Sequence, residues 1–363
     1  MQGVLFVFSY FMQHSFVFRK GRGKTMKKHR FAVCAAATLL AFTTYISLDT
    51  FVISRDYNTN ATEMNLSMFE TSSDASRSNL DSKTTSKHGP GSRKNPGAPG
   101  PEARSSENEE STTSNKSGID DTASVTGANT VATDNYTITL KEYEQNDTKI
   151  YVADVTLTSA QYLKTAFANN TYGKNVTATT SSMAQSNNAV LAINGDYYGV
   201  QESGYVIRNG IVYRDTAKGR DVLCIYANGT MKIVSDRDYT ADELVEKGVW
   251  QAFTFGPALV ENGSVTVGVN TEVGKAMASN PRTAIGLIDV NHFVFVVSDG
   301  RTAESAGLSL YELATFMQSL GVKTAYNLDG GGSSTMYFNG AVVNHPTTGG
   351  SIKERGISDI VYI

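Results

Sequence analysis

The residues with the most chemical potential sit in one run, Asn327-Leu328-Asp329-Gly330-Gly331-Gly332-Ser333-Ser334-Thr335. Three consecutive glycines let a backbone come close to a ligand and turn several N–H groups toward it, which makes an anion-binding nest. Ser333, Ser334 and Thr335 add hydroxyl donors, and Asp329 adds a carboxylate. No lysine stands where an ATP-type P-loop needs one, so that class is excluded. A plain turn between two strands is the alternative, but such a turn has little need of three glycines flanked by Asn, Asp and three hydroxyls.

Three further segments carry candidate groups. Asn194-Gly195-Asp196-Tyr197-Tyr198 offers a second carboxylate and two tyrosines, whose apolar faces and polar tips suit a sugar ring. A turn with packed tyrosines explains the same residues equally well. Asn280-Pro281-Arg282 places a guanidinium at the mouth of a strand, where it can fork onto two phosphate oxygens or simply make a surface salt bridge. Ser298-Asp299-Gly300-Arg301 ends another strand, and Asp299 there is either a ligand or catalytic group or the holder of a turn and of Arg301. His292 and His345 have no partner at metal-ligand spacing and read as structural or solvated.

Composition narrows the classes. The 32 Lys+Arg against 35 Asp+Glu give a net charge of −3, which excludes a strongly basic nucleic-acid binder as the default. The two cysteines, Cys34 and Cys224, exclude a disulfide-stapled fold and a Cys-based zinc site. Charged residues are only 18%, fewer than an ordinary globular domain carries, which suggests a polar, uncharged stretch.

Residues 58–127 are rich in Ser, Thr, Asn, Gly and acidic residues. From Lys87 to Glu110 the chain holds no Val, Ile, Leu or aromatic residue. Such a segment cannot bury enough apolar surface to offset its ordering entropy, so a disordered linker is expected. Before it, residues 1–57 contain a basic block from Arg19 to Arg30 and an apolar run from Phe31 to Leu48. About eighteen residues at 1.5 Å each span roughly 27 Å, close to the hydrocarbon thickness of a bilayer. Basic residues ahead of the run hold that side in the cytoplasm, so the bulk of the chain is expected outside the cell on a single-pass anchor. The run lacks small residues at its end, which favours an uncleaved anchor over a cleaved signal. Met26-Lys27-Lys28 is an alternative start.

The domain 128–363 must position the candidate groups. Asn-Gly pairs recur between apolar runs at Asn209-Gly210, Asn228-Gly229, Asn262-Gly263 and Asn339-Gly340, each a hairpin signal. Tyr205–Arg208 is expected to return through Ile211–Arg214, Val222–Tyr226 through Met231–Val234, and Thr283–Asp289 through Phe293–Ser298. Ser309 with Glu312 reads as a capping box for a helix carrying Leu310, Leu313, Ala314, Met317 and Leu320, ended by Gly321. Helices are also expected from Ser159 to Phe167 and from Thr180 to Ser186. A parallel crossover is plausible over 293–328. The fold class is α+β, a mostly antiparallel, hairpin-rich sheet with a few packed helices.

These segments, in this order, resemble the phosphodiester glycosidase family. The matching residues are Asn194-Gly195-Asp196-Tyr197-Tyr198, Pro281-Arg282-Thr283-Ala284-Ile285-Gly286, Asp299-Gly300-Arg301, the helix with Leu310, Glu312 and Leu313, and Asn327 to Thr335. The resemblance covers roughly Val152 to Val361. It implies cleavage of a sugar, such as N-acetylglucosamine, from a phosphodiester-linked glycan at the anomeric carbon. A phosphodiester leaves as a stable anion, so one carboxylate and an anion cradle suffice where ordinary glycosidases use two carboxylates. Asp329 is then expected as nucleophile or base, with Asp299 and Asp196 as further catalytic candidates. Asn194, Gly195, Tyr197, Tyr198, Arg282, Arg301, Asn327, Gly330, Gly331, Gly332, Ser333 and Ser334 are expected to bind substrate. Two rivals stand: a non-catalytic glycan-binding module, and a phosphodiesterase holding Ca²⁺ or Mg²⁺ on Asp196, Asp299 and Asp329.

Overall fold

The strand His292–Ser298 shows why the domain is layered as it is. Phe293, Phe295 and Val297 point into one apolar cluster, while Val294 and Val296 point into another. A strand buried on both faces must lie in the middle of the molecule. The structure, a computed structural model, describes residues 26–56, 124–127, 129–272 and 278–363.

That strand belongs to a nine-stranded sheet. Its order is Ser264–Val265, Ala258–Glu261, Thr324–Asn327, Arg282–Asp289, His292–Ser298, Lys149–Leu157, Tyr136–Glu144, Thr130–Ala132 and Ser124–Gly127. A five-stranded sheet, Ala341–Val342, Met336–Phe338, Leu191–Asn194, Asp359–Tyr362 and Lys164–Phe167, packs on it. A second five-stranded sheet is ordered Ile211–Thr216, Gly204–Arg208, Val249–Phe253, Asp221–Tyr226 and Met231–Ser235. The main core lies where the three meet, with Phe293 and Ile285 from the first, Leu191 and Met336 from the second, and Leu223 and Phe253 from the third.

Helix α1 is Met26–Phe51, α2 is Thr180–Ser186, α3 is Ala241–Glu246 and α4 is Leu310–Ser319. The last three cover outer sheet faces. Leu310, Leu313, Ala314 and Met317 of α4 close the far side of the large sheet over Val294 and Val296. Met183 and Ala184 of α2 cover Ala192 and Ile360, and Leu244 and Val245 of α3 cover Ile207 and Cys224. Cys224 is free and buried, and burial pushes its thiol up to about 12.

The hairpins form at the expected Asn-Gly turns, with Asn209, Asn262 and Asn339 at positive φ. The capping box forms as well: Ser309 Oγ accepts from the Glu312 amide at 3.2 Å, and Glu312 Oε2 from the Ser309 amide at 2.8 Å. Helix α2 spans the expected residues. The helix expected over Ser159–Phe167 is instead a single 3-10 turn, Ala160–Tyr162, followed by the strand Lys164–Phe167. Ser159 does cap, but Lys164–Phe167 pairs antiparallel with Asp359–Tyr362, and that distant partner overrides the local signal. The crossover 293–328 leaves its two strands parallel in direction but not paired, because Arg282–Asp289 lies between them and is antiparallel to both.

The apolar run Phe31–Leu48 lies within α1. Among the described residues, no helix is long and apolar enough to cross a membrane. The expectations for 1–25 and for 58–123 fall outside the described residues; Ser124–Gly127, at the end of the expected linker, is an edge strand. Arg55–Ile363 forms one compact unit and the preceding residues another.

One buried charge cluster joins the two smaller sheets. Arg208 is 1% exposed. Its Nε donates to Asp359 Oδ2 and its Nη2 to Asp196 Oδ1, both at 2.9 Å, and its Nη1 donates to the Ala252 carbonyl. One cation faces two carboxylates, so one acid is in excess. Burial pushes the Asp359 carboxyl up to about 7, with Arg208 opposing and Asp196 adding to the rise. A carboxyl raised this way stabilises the fold below its unfolded value of about 4, and that contribution fades as pH climbs through the folded value. The natural protein should therefore lose stability relative to Asp359→Asn between about pH 4 and pH 7. Thermal melts across that range check this, and a gap that stays constant or moves the other way contradicts it.

Candidate functional site

The glycine-rich loop sits at the end of the Thr324–Asn327 strand and is tied down on three sides. The Leu328 amide donates to the Thr283 carbonyl at 2.9 Å, the Asp329 amide to the Gly195 carbonyl at 3.2 Å, and the Gly331 amide to the Pro281 carbonyl at 2.8 Å. Asn194 is the fourth tie. Its Nδ2 donates to the Asp329 carbonyl at 2.6 Å, and its Oδ1 accepts from Thr283 Oγ1 at 2.8 Å and from the Thr335 amide at 3.3 Å. Segments separated by up to 141 residues thus converge on one loop.

These ties take the Gly331 amide out of the expected nest. The Asp329, Gly331 and Thr335 amides point into the protein rather than toward a ligand. Positive charge comes from side chains instead. A Cβ at Gly331 would lie 2.9 Å from Arg301 Nη2, and one at Gly332 would lie 2.7 Å from Arg355 Nη2. A Cβ at Gly330 would approach Arg282 Cδ to 3.9 Å. Gly331 and Gly332 therefore each face an arginine, Gly330 lies against the Pro281 carbonyl at 2.9 Å, and Gly331 also needs its φ of +63°.

The three arginines are not equivalent. Arg282 is buried, and its Nε and Nη2 donate to the carbonyls of Leu308 at 2.9 Å and Ala278 at 3.2 Å. It braces the loop more than it reaches out. Arg301 is exposed, held by an Nε bond to Asn280 Oδ1 at 2.9 Å. Arg355 is half-buried and lies close enough to both Asp329 and Arg301 to perturb them. Burial and the neighbouring Arg355 hold the Arg301 guanidinium below its usual range. Arg355 follows a 344–354 excursion that Thr348 Oγ1 pins to the Gly332 carbonyl at 3.1 Å and Glu354 pins to the Ser181 amide at 2.9 Å.

Asp329 lies half-buried beneath these cations. Burial pushes its carboxyl up to about 6, while the Ser333 hydroxyl, Arg355 and the Gly330 amide pull back and Asp196 adds to the rise. A carboxyl that changes charge near neutrality in a partly open site suits acid–base work. The Ser333 hydroxyl is buried and turned to the Asp329 carboxyl, and the Ser334 hydroxyl is buried without a hydrogen-bond partner.

The other sequence candidates divide. Tyr197 is 39% exposed at φ +66°, and burial followed by the Asp329 charge pushes its phenol up. Tyr198 is 1% exposed and stacks on Tyr172 at 5.1 Å, so it is a core residue and not a sugar platform. Asp196 accepts from Arg208, from the Thr254 amide at 2.9 Å and from the Tyr198 amide at 3.2 Å, which removes it from the open site. Asp299 is likewise filled: Asn344 Nδ2, the His345 amide, His345 Nδ1 and Tyr151 Oη surround it at 2.8 to 3.4 Å. It fastens the 344–348 segment, and His345, though exposed, is its partner, a structural role. Asn327 donates to the Gly256 carbonyl at 2.8 Å, and Gly195 lies against Asp359, where a Cβ would come within 2.2 Å of Oδ1. Both shape the site without lining it. Asp196 and Asp299 thus lack the free oxygens that a Ca²⁺ or Mg²⁺ site needs. Among the described residues no three His, Cys, Asp or Glu side chains come together to hold a metal.

Sequence reasoning missed Arg355, Arg208 and Asp359. Arg355 sits in Lys353-Glu354-Arg355-Gly356, which has no local pattern. Its basic type in a loop just before the last strand is the sole hint.

Fold and site together define an antiparallel α+β domain with one half-buried carboxylate under an arginine-lined glycine loop. Residues 187–363 match the family model described as phosphodiester glycosidase. The SPbeta prophage-derived uncharacterized protein YomE of Bacillus subtilis (strain 168) is 31% identical over 200 residues, 53% of this chain and 30% of that protein. The N-acetylglucosamine-1-phosphodiester alpha-N-acetylglucosaminidase of Homo sapiens is 42% identical over 66 residues, 18% of this chain and 13% of that protein. The aligned regions thus span less than a third of these curated relatives. Among solved structures, the zebrafish N-acetylglucosamine-1-phosphodiester alpha-N-acetylglucosaminidase catalytic domain, auto-inhibited by its pro-peptide, matches with a TM-score of 0.51 at 20% identity. That match covers 63% of this chain and 82% of the other, and it shows the fold. The resemblance to phosphodiester glycosidases is therefore shown.

Removing the Arg355 charge should raise the Asp329 midpoint above its value of about 6, because Arg355 favours the ionised form. Carboxylate ¹³C titration of the natural protein and Arg355→Ala reads this directly, and an unchanged or lowered midpoint contradicts the assigned neighbourhood.

Proposed function

We propose that the protein is a hydrolase that removes a sugar, with N-acetylglucosamine the first to test, from a phosphodiester-linked glycan by attack at the anomeric carbon. The observation that carries this is Asp329, a half-buried carboxyl poised near neutrality beside Arg355, at the head of a glycine loop whose Gly331 faces Arg301. The family match and the names of the curated relatives support the substrate class. The basic block followed by an apolar run supports a place outside the cytoplasm, anchored to the cell membrane.

In this account Asp329 is the general base. It takes a proton from water as the water oxygen bonds to the anomeric carbon, and the bond from that carbon to the phosphate oxygen breaks. The electron pair stays on the departing phosphate, which needs no proton because it is already a stable anion. Arg301 and Arg355 neutralise it as it leaves, and the buried Ser333 and Ser334 hydroxyls supply neutral donors. Tyr197 stands beside Asp329 and offers its ring to the sugar. A base of this kind works in its ionised form, so turnover should rise with pH through about 6.

The full chain should release sugar from an N-acetylglucosamine-1-phosphodiester. In ¹⁸O-water the label should enter the anomeric hydroxyl; label in the phosphate would assign the protein to the phosphodiesterases. Asp329→Asn keeps the shape and removes the base, so turnover should fall roughly a thousandfold. Near-normal turnover in that variant would sink the mechanism.

A further inference from the structure

Tyr197 is held in a conformation that a bulky residue adopts only under constraint. Among the described residues, the non-glycine positions with positive φ are Asn or Asp except for two, Tyr197 and Arg301. Left-handed backbone costs an L residue with a Cβ on the order of 1 kcal/mol or more, so something must hold it there.

Two buried anchors flank it. On one side, Asp196 is 1% exposed, and its carboxylate is fixed by Arg208 Nη2 at 2.9 Å and the Thr254 amide at 2.9 Å. The same carboxylate accepts from the Tyr198 amide at 3.2 Å, closing a turn around Tyr197. On the other side, the Tyr198 ring is locked between Tyr172, stacked at 5.1 Å, and Phe167, edge-on at 5.2 Å. With both neighbours pinned inside, the residue between them is turned outward, and the bond from the Asp329 amide to the Gly195 carbonyl at 3.2 Å sets its loop against that of Asp329.

We propose that Asp196 is a positioning residue: clamped by Arg208, it closes the turn that sets Tyr197 against Asp329 as the wall of the sugar subsite. This rests on Asp329 being the reacting carboxylate. It also gives the buried pair a task beyond stability, since Arg208 bonds the carboxylate that closes the turn. Asp329 faces Arg355, Asp196, Tyr197 and the Ser333 hydroxyl; Asp196 faces Arg208, Asp359, Tyr326 and Asp329.

The test uses the full chain labelled with ¹³C at the tyrosine ζ carbon. In the natural protein the Tyr197 resonance should show an inflection near pH 6 as Asp329 titrates. In Asp196→Ala, which removes the Oδ1 acceptor of the Tyr198 amide, that inflection should vanish, while the other tyrosine resonances stay dispersed and report a folded domain. An inflection that persists in Asp196→Ala overturns the proposal. Kinetics supply the second arm. Tyr197→Gly removes both ring and strain and should raise KM about tenfold with a smaller change in kcat. Adding Asp196→Ala to Tyr197→Gly should cost nothing further when both proteins show the dispersed tyrosine resonances of a folded domain. A further tenfold loss in the double variant overturns the proposal. Absence of turnover in the natural protein with the inflection present would overturn the catalytic role of Asp329 and leave the positioning role standing.

Discussion

The site depends on one buried amide. Asn194 ends a strand of one five-stranded sheet, and its side chain reaches the Asp329 carbonyl, the Thr283 hydroxyl of the large sheet and the Thr335 amide past the glycines. An amide presents a donor and an acceptor in fixed opposition, so it can bind a carbonyl on one side and a hydroxyl and N–H on the other. Asp could not donate to the Asp329 carbonyl, and an aliphatic residue would leave three buried polar groups unpaired. Loss of such partners costs about 1–3 kcal/mol each. Everything the loop does chemically follows from being bolted at this point to two sheets.

A bolted loop can then hold charges that would otherwise separate. Arg282, Arg301 and Arg355 crowd one short stretch of backbone, and crowding like charges disfavours all of them. They stay because each is held elsewhere: Arg282 by carbonyls, Arg301 by Asn280, and Arg355 by a backbone excursion pinned at Thr348 and Glu354. The Arg301 and Arg355 guanidinium groups occupy the space a Cβ would take at Gly331 and Gly332, and the Pro281 carbonyl occupies it at Gly330. Asp329 sits in this field without a direct ion pair, so burial wins over attraction and its carboxyl rises instead of falling. A carboxylate paired directly with arginine would be ionised at every useful pH and would be a poorer base.

Much of this was legible in the chain. The Asn-Gly turns and the Ser309–Glu312 capping box are local signals, and they survive because nothing distant competes with them. Ser159 gave an equally local signal and failed, because Lys164–Phe167 found a strand partner almost two hundred residues away. The glycine run announced a site, but the sequence could not say that arginines rather than amides would face the ligand. Tyr197 and Tyr198 look alike in sequence, yet one is buried against Tyr172 and the other is exposed, a split decided by the turn between them. Arg355 was invisible because its neighbours come from segments remote in sequence.

The central claim is that Arg301, Arg355 and the loop hydroxyls form an anion cradle opposed by Asp329. Calorimetric titration of the full chain with inorganic phosphate tests it without requiring turnover. Phosphate should bind the natural protein, bind Arg301→Ala or Arg355→Ala about tenfold or more weakly, and bind Asp329→Asn more tightly because a repelling charge is gone. Phosphate binding that is undetectable, or indifferent to both arginines, would contradict the account.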